Sequence, residues 1–224
     1  MNTYDLKTKT FNLSYFLLSG SGVVLSHRVQ TVHRQQAMQE AQRAKQMTQK
    51  TKQAAHATST AAVGAMRQPI NWRKSSETKP YPNLAAAKHL WVKVQLKQNR
   101  TYVYDGKKLI YTMYCTGGKY RTDPKTGEQK SMTPTGTYHI EDQRGDSFYN
   151  SELQEGAKYY VSWKNHGTYL FHSVPTSSGG KINTKEAAKL GKTQGSHGCV
   201  RLSVPDARWF SKTVPVGTKV VITN

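Results

Sequence analysis

The chain has 224 residues, enough for one ordinary domain with a real core and accessory segments beside it. Its 33 Lys/Arg against 13 Asp/Glu give a formal net charge of +20, which points to a polyanionic partner. No zinc-ligand spacing, recognition-helix signature or single-strand-binding motif accompanies the charge. Basic charge alone is not specific, so nucleic acid is not expected, and another anionic polymer or an anionic lipid surface is preferred.

Residues 1–10 are polar and carry Lys7 and Lys9, and Phe11 to Leu25 is an apolar run diluted by Asn12, Ser14 and Ser19-Gly20-Ser21-Gly22. The run is short for a spanning helix, which needs ~20 apolar residues. A positive start followed by a short apolar stretch predicts a secretory signal or an uncleaved N-terminal anchor over 1–26, against the alternative of a frayed terminus. Residues 26–90 hold 11 Lys/Arg and 2 Asp/Glu and few large apolar side chains. Gln35 to Ala55 is rich in good helix formers, but its apolar face is mostly alanine and cannot offset the ordering entropy alone. The expectation for 27–87 is a solvated, basic, partly helical stalk, closed by Pro80-Tyr81-Pro82-Asn83.

From residue 88 to 224 the pattern becomes that of a folded domain. Trp91 to Lys97 alternates with period two, as a half-buried strand does. Gln98-Asn99 is a predicted turn, Thr101 to Tyr104 a second strand, and Asp105-Gly106 a hairpin signal before a third strand, Lys108 to Cys115. Lys119 to Ser131 reads as a polar loop. Further strands are predicted at Gly136–Ile140, Lys158–Trp163, Thr168–His172 and Thr218–Thr223. Asn183-Thr184-Lys185-Glu186 resembles a capping box for a short helix, Thr184 to Leu190, with Gly191 as its C-cap. Ser203 with Asp206 caps a second helix starting near Pro205. Many short strands with few helices predict a mainly β sandwich or barrel.

Chemistry concentrates at Ser196-His197-Gly198-Cys199-Val200-Arg201-Leu202. A thiolate is favoured by neighbouring cations and a histidine base; Arg201 supplies fixed charge, and Gly198 lets the backbone bend around the sulfur. His197 is a poor base for its neighbour, because adjacent side chains of an extended segment point to opposite faces. His172 closes the apolar run Tyr169-Leu170-Phe171 and is the better base, remote in sequence but near in the fold. The other cysteine, Cys115, ends the third strand. A Cys115–Cys199 disulfide would mask the nucleophile, so Cys115 is expected to sit unpaired in the core.

These blocks, His172-Ser173, Ser196-His197-Gly198-Cys199 with Arg201, Thr133-Pro134-Thr135-Gly136, Thr116-Gly117-Gly118-Lys119 and Pro205 to Phe210, resemble the L,D-transpeptidase catalytic domain of bacterial cell-wall enzymes, in family order. The resemblance implies a β-sandwich domain over 88–224 and a cysteine acyltransferase without metal or organic cofactor. It implies Cys199 as nucleophile, His172 as base, and Ser173 as the group orienting the imidazole through its carbonyl or hydroxyl. Ser196, His197, Gly198 and Arg201 then line the substrate and oxyanion region. The implied substrates are tetrapeptide stems of peptidoglycan, with D-alanine released and the acyl group passed to an acceptor amine. L,D-carboxypeptidase action on water and acylation of Cys199 by carbapenems are also implied. The setting is extracytoplasmic, in the wall or at the outer membrane face, for a monomer concerned with wall biogenesis and cell shape. The competing reading is a non-catalytic wall-binding module acting through its basic stalk.

Overall fold

The computed structural model describes residues 34–49 and 66–224. The expected leader at 1–26, and the stalk residues 27–33 and 50–65, lie outside the described residues. The chain divides into two units, Met1–Thr58 and Ser59–Asn224. Of the first, residues 34–49 form an exposed helix, α1, within the stretch of helix formers. Among the described residues no helix is long and apolar enough to cross a membrane.

The second unit is mainly β. Its elements are β1 (Leu90–Gln95), β2 (Arg100–Asp105), β3 (Lys108–Thr116), β4 (Tyr120–Thr122), β5 (Gln129–Ser131), β6 (Gly136–His139), β7 (Arg144–Asn150), β8 (Glu155–Lys164), β9 (Tyr169–Ser173), α2 (Thr184–Ala187), β10 (Val200–Leu202), α3 (Val204–Thr213) and β11 (Lys219–Thr223). Nine strands form one sheet in the order β6-β11-β1-β2-β3-β10-β9-β8-β7. The sheet curls on itself. Tyr138 of β6, at one edge, packs its ring against Trp163 of β8, next to the other edge, with centroids 4.9 Å apart. Val92, Val94, Val103, Tyr111 and Met113 from one half of the curl meet Val161, Trp163, Phe171, Val200 and Leu202 from the other in a single core. α3 closes that core with Ala207, Phe210 and Val214. Its start is set by Ser203, whose Oγ accepts from the Asp206 amide at 3.2 Å.

Three features differ from the sequence expectation. The predicted polar loop at 119–131 is a β4–β5 hairpin whose turn is held by Asp123, its Oδ1 accepting from the amides of Lys125 and Thr126. Strand β7 was not predicted: it is an edge strand, and its polar, largely exposed residues carry no alternation. The expected stalk ends too late, because residues 66–87 belong to the folded unit. Met66 is buried and bridges Glu77, and Ile70 and Trp72 pack with Tyr114 and Val174.

This N-terminal strap is fastened mostly by polar groups. The Asp206 carboxylate, buried at the start of α3, accepts from the Ser76 amide, from Ser76 Oγ at 2.5 Å and from Tyr81 Oη at 2.8 Å. Glu77 Oε1 accepts from the Thr112 amide at 2.7 Å, and Tyr81 stacks on Trp209 at 4.6 Å. Burial pushes the Asp206 carboxyl up, and the Ser76 and Tyr81 donors pull it back. Each buried donor left unpaired costs ~1–3 kcal/mol. Asp206→Ala is therefore expected to lower the unfolding free energy by about 3 kcal/mol in urea titration. A loss below about 0.5 kcal/mol would show that the strap is not fastened there.

Candidate active site

Strands β9 and β10 run parallel, with Phe171 opposite Val200, His172 opposite Arg201 and Ser173 opposite Leu202. Side chains alternate between faces along a strand. Phe171, Val200 and Leu202 enter the core, so His172 and Arg201 share the opposite face. Cys199 stands two residues before Arg201 and falls on that face too. Thr168 and Leu170, four and two residues before His172, do the same. Cys199, His172, Leu170 and Thr168 indeed line one cleft of about 260 Å³, together with Ser196 and His197. The sheet register thus brings the sequence-distant cysteine and histidine to a common site.

His172 is buried, with Nδ1 2.6 Å from the Ser173 carbonyl oxygen. The carbonyl can only accept, so Nδ1 carries the proton and Nε2 is left as the acceptor. The sequence left open whether the carbonyl or the hydroxyl of Ser173 orients the ring. The hydroxyl is engaged elsewhere: Ser173 Oγ donates to the Val174 carbonyl at 2.8 Å and accepts from the Lys158 amide at 3.0 Å. Phe148 meets the imidazole edge-on at 5.5 Å.

Burial pushes His172 down to about 3, the Arg201 charge acts in the same direction, and the Ser173 carbonyl opposes both. Burial pushes the Cys199 thiol up to about 11, against lowering by the backbone at Leu170 and by Arg201. Burial thus favours the thiol at Cys199 and the neutral imidazole at His172, while the Leu170 backbone and Arg201 favour the thiolate. Cys115 is buried in the core with its thiol free, and burial pushes it up to about 12. It pairs in register with Leu202, whose side chain faces the core, away from Cys199.

The turn carrying the cysteine is clamped from three segments. Ser196 Oγ donates to the Cys199 carbonyl at 2.6 Å and accepts from the Gly198 amide at 3.1 Å. Gly198 has φ +138°, and a Cβ there would lie 2.7 Å from the Tyr169 ring and 3.1 Å from the Met132 carbonyl oxygen, so only glycine fits. Thr133 Oγ1 donates to the Gly198 carbonyl and accepts from the Gly118 amide, both at 2.8 Å. Gly117 accepts from the Ser196 amide at 3.0 Å. The Thr133 and Gly117-Gly118 blocks, which the sequence offered only through their resemblance, hold the turn that carries Cys199.

Arg201 is a correction to the sequence reading. It is 1 % exposed and does not line the cleft, so it is not placed to meet substrate. Its Nη2 lies 2.7 Å from both Glu155 oxygens and its Nη1 2.8 Å from Glu186 Oε2. Glu186 lies in α2, capped by Asn183 Oδ1, and its other oxygen takes Lys189 Nζ at 2.6 Å. The expected capping box is thus half made: Asn183 caps the Glu186 amide, while the Glu186 carboxylate turns to Arg201. Glu155 and Glu186 are the site residues the sequence did not reveal. No spacing signal links them to Arg201, 46 and 15 residues away.

Two outcomes are expected. Iodoacetamide labelling of Cys199 should accelerate about tenfold per pH unit from pH 6 to 9, because the thiolate fraction grows that way below the thiol's pKa. A rate plateau across that range would mean a preformed ion pair. Thr133→Val keeps the side chain's shape but removes both clamp bonds. It should slow acylation of Cys199 by at least about tenfold and cost about 2 kcal/mol of stability. An unchanged acylation rate would remove Thr133 from the positioning of the turn.

Residues 89–222 match the YkuD family, described as the L,D-transpeptidase catalytic domain. The chain is 44% identical over 153 residues to a Bacillus subtilis (strain 168) protein named "Putative L,D-transpeptidase YciB", covering 68% of this chain and 74% of that one. Among solved structures it is similar to a fused Zn-dependent amidase/peptidase/peptidoglycan-binding-domain protein of Clostridium acetobutylicum ATCC 824. That match has 29% identity and TM-score 0.43, over 65% of this chain and 55% of the other. It is also similar to an L,D-transpeptidase from Mycobacterium smegmatis, at 17% identity and TM-score 0.45, over 61% and 59%. The chain therefore spans less than two thirds of the length of either solved structure. With the family matched across more than half of its length, the chain belongs to the YkuD family of L,D-transpeptidase catalytic domains and is an enzyme of the acyltransferase type.

Proposed function

We propose that the chain is a cysteine-dependent L,D-transpeptidase acting on tetrapeptide stems of peptidoglycan. The observation that carries this reading is the single-face placement of Cys199 and His172 in one cleft, with Nδ1 pinned by the Ser173 carbonyl. Burial of both groups opposes charge separation before attack. Proton transfer from Sγ to Nε2 therefore accompanies the attack of sulfur on the carbonyl of the third, L-centred stem residue. The developing oxyanion needs fixed donors. The Gly198 amide is engaged by Ser196, so the Cys199 amide is the donor this reading relies on.

Collapse of the tetrahedral species breaks the bond to D-alanine, whose amine takes the proton back from His172. A second stem's side-chain amine then attacks the thioester, passes its proton through His172 and frees the thiol. Water in place of the amine makes the same site an L,D-carboxypeptidase. Ser173 gives a neutral carbonyl where a serine-protease triad has an aspartate, so the imidazolium is held in place but less stabilised. The same thiol is the expected site of carbapenem acylation. The proposed setting is extracytoplasmic, where the net charge of +20 favours retention on anionic wall polymers.

Turnover of a purified tetrapeptide stem, followed as D-alanine release, tests the reading. Cys199→Ala should abolish it, and His172→Gln should lower it by about 10²–10⁴-fold. Release by Cys199→Ala at the wild-type rate would remove the nucleophile assignment. An unchanged rate for His172→Gln would move the base to His197, which also lines the cleft.

A further inference from the structure

The chain holds 33 Lys/Arg, yet among the described residues no Lys or Arg lines the cleft that holds Cys199 and His172. The carboxylate among the lining residues is Glu155, at the start of β8 and opposite Asn150 of β7. A basic protein that presents an acid beside its nucleophile favours a cationic group there.

Glu155 is also held in place. Arg201 Nη2 contacts both of its oxygens at 2.7 Å, and its side chain keeps 23% of its surface exposed. Arg201 is the positive charge that offsets it, but Arg201 is shared: its Nη1 serves Glu186. The second cation of this chain of ion pairs, Lys189, sits at the far end, on Glu186. At the cleft end a carboxylate therefore faces the cleft with only part of one guanidinium against it. Each of its oxygens keeps acceptor capacity beyond the Arg201 contact.

The position relative to the chemistry follows from the strands. Cys199 lies in the bend just before β10, two residues from Arg201, and it lines the same cleft as Glu155. Glu155 is one hydrogen bond from the Arg201 guanidinium. Its carboxylate is thus within the reach of a side chain that starts at the carbonyl attacked by Cys199 and ends three or four carbons later.

We infer that Glu155 is a specificity-determining residue that binds the side-chain ammonium of the third residue of the donor stem, so that a stem with a free amine there is favoured over one whose amine is acylated. This rests on the tetrapeptide reading above. The donor's amine fits better than the acceptor's. The acceptor must attack as a free amine, and a carboxylate would hold it protonated and away from the thioester. The donor's amine is a spectator that gains from staying charged. Arg201 then acts as a positioning residue: it fixes Glu155 rather than touching substrate.

The test uses two probes, L-Ala-γ-D-Glu-L-Lys-D-Ala and the same peptide acetylated on the lysine Nε. Binding is measured by calorimetry on full-length Cys199→Ala protein, so that it does not depend on turnover. The free-amine peptide should bind about 10-fold to 100-fold more tightly than the acetylated one, as a charge-assisted hydrogen bond warrants. Adding Glu155→Gln, which keeps the shape and leaves Arg201 its Glu186 partner, should bring the two peptides within about threefold by weakening the free-amine peptide alone. Glu155→Asp should keep a preference for the free amine. Equal binding of both peptides to Cys199→Ala protein overturns the proposal without any further variant, as does a preference that survives Glu155→Gln. Turnover by the wild-type chain is scored separately. Discrimination in binding without D-alanine release would sink the transpeptidase reading and leave the Glu155 site standing.

Discussion

The parallel pairing of β9 with β10 is the constraint on which the site depends. One register places His172 opposite Arg201, and Cys199, in the bend just before β10, lines the same cleft as His172. A slip of one residue would send Cys199 into the core and bring Val200 to the cleft, because side chains alternate strictly along a strand. The core enforces the register: Phe171, Val200 and Leu202 are each essentially unexposed, and none of them can be turned to the cleft without opening the packing around α3. Apolar burial on one face of these two short strands therefore positions His172 and Arg201 on the other.

Behind that face runs a chain of ion pairs, Glu155–Arg201–Glu186–Lys189. A guanidinium as buried as Arg201 carries a desolvation penalty that only close carboxylates offset. Here they come from β8 and from α2, so the pair network ties three elements together beneath the nucleophile. It also sets the field at the site. The positive charge of Arg201 lowers the pKa of both the Cys199 thiol and the His172 imidazole, and burial is the larger influence at each.

Much of this was legible in the residues. The alternation of Trp91 to Lys97, the Asp105-Gly106 turn and the apolar strand ending at Cys115 correspond to β1, β2 and β3 with shifts of a residue or two. The Cys199 and His172 blocks pointed to each other through their resemblance to the L,D-transpeptidases. What the sequence hid was held by long-range polar contacts. The strap at 66–87 lacks a hydrophobic period; it is fastened by Ser76, Glu77 and Tyr81 to partners as distant as Asp206. The function of Arg201 is set by Glu155 and Glu186, which are ordinary acids until the fold assembles. Strand β7 is an edge, polar on both faces, and edges of that kind carry little pattern.

On the proposed reading, Cys199 takes the acyl group of the donor stem as a thioester. Intact-protein mass spectrometry after mixing the full chain with a tetrapeptide stem, in the absence of acceptor amine, tests it most directly. The account predicts a mass increase equal to the stem less D-alanine, located by fragmentation on the peptide containing Cys199 and released by hydroxylamine. D-alanine release with an adduct on any other residue, or an adduct on Cys199 that retains D-alanine, would contradict it.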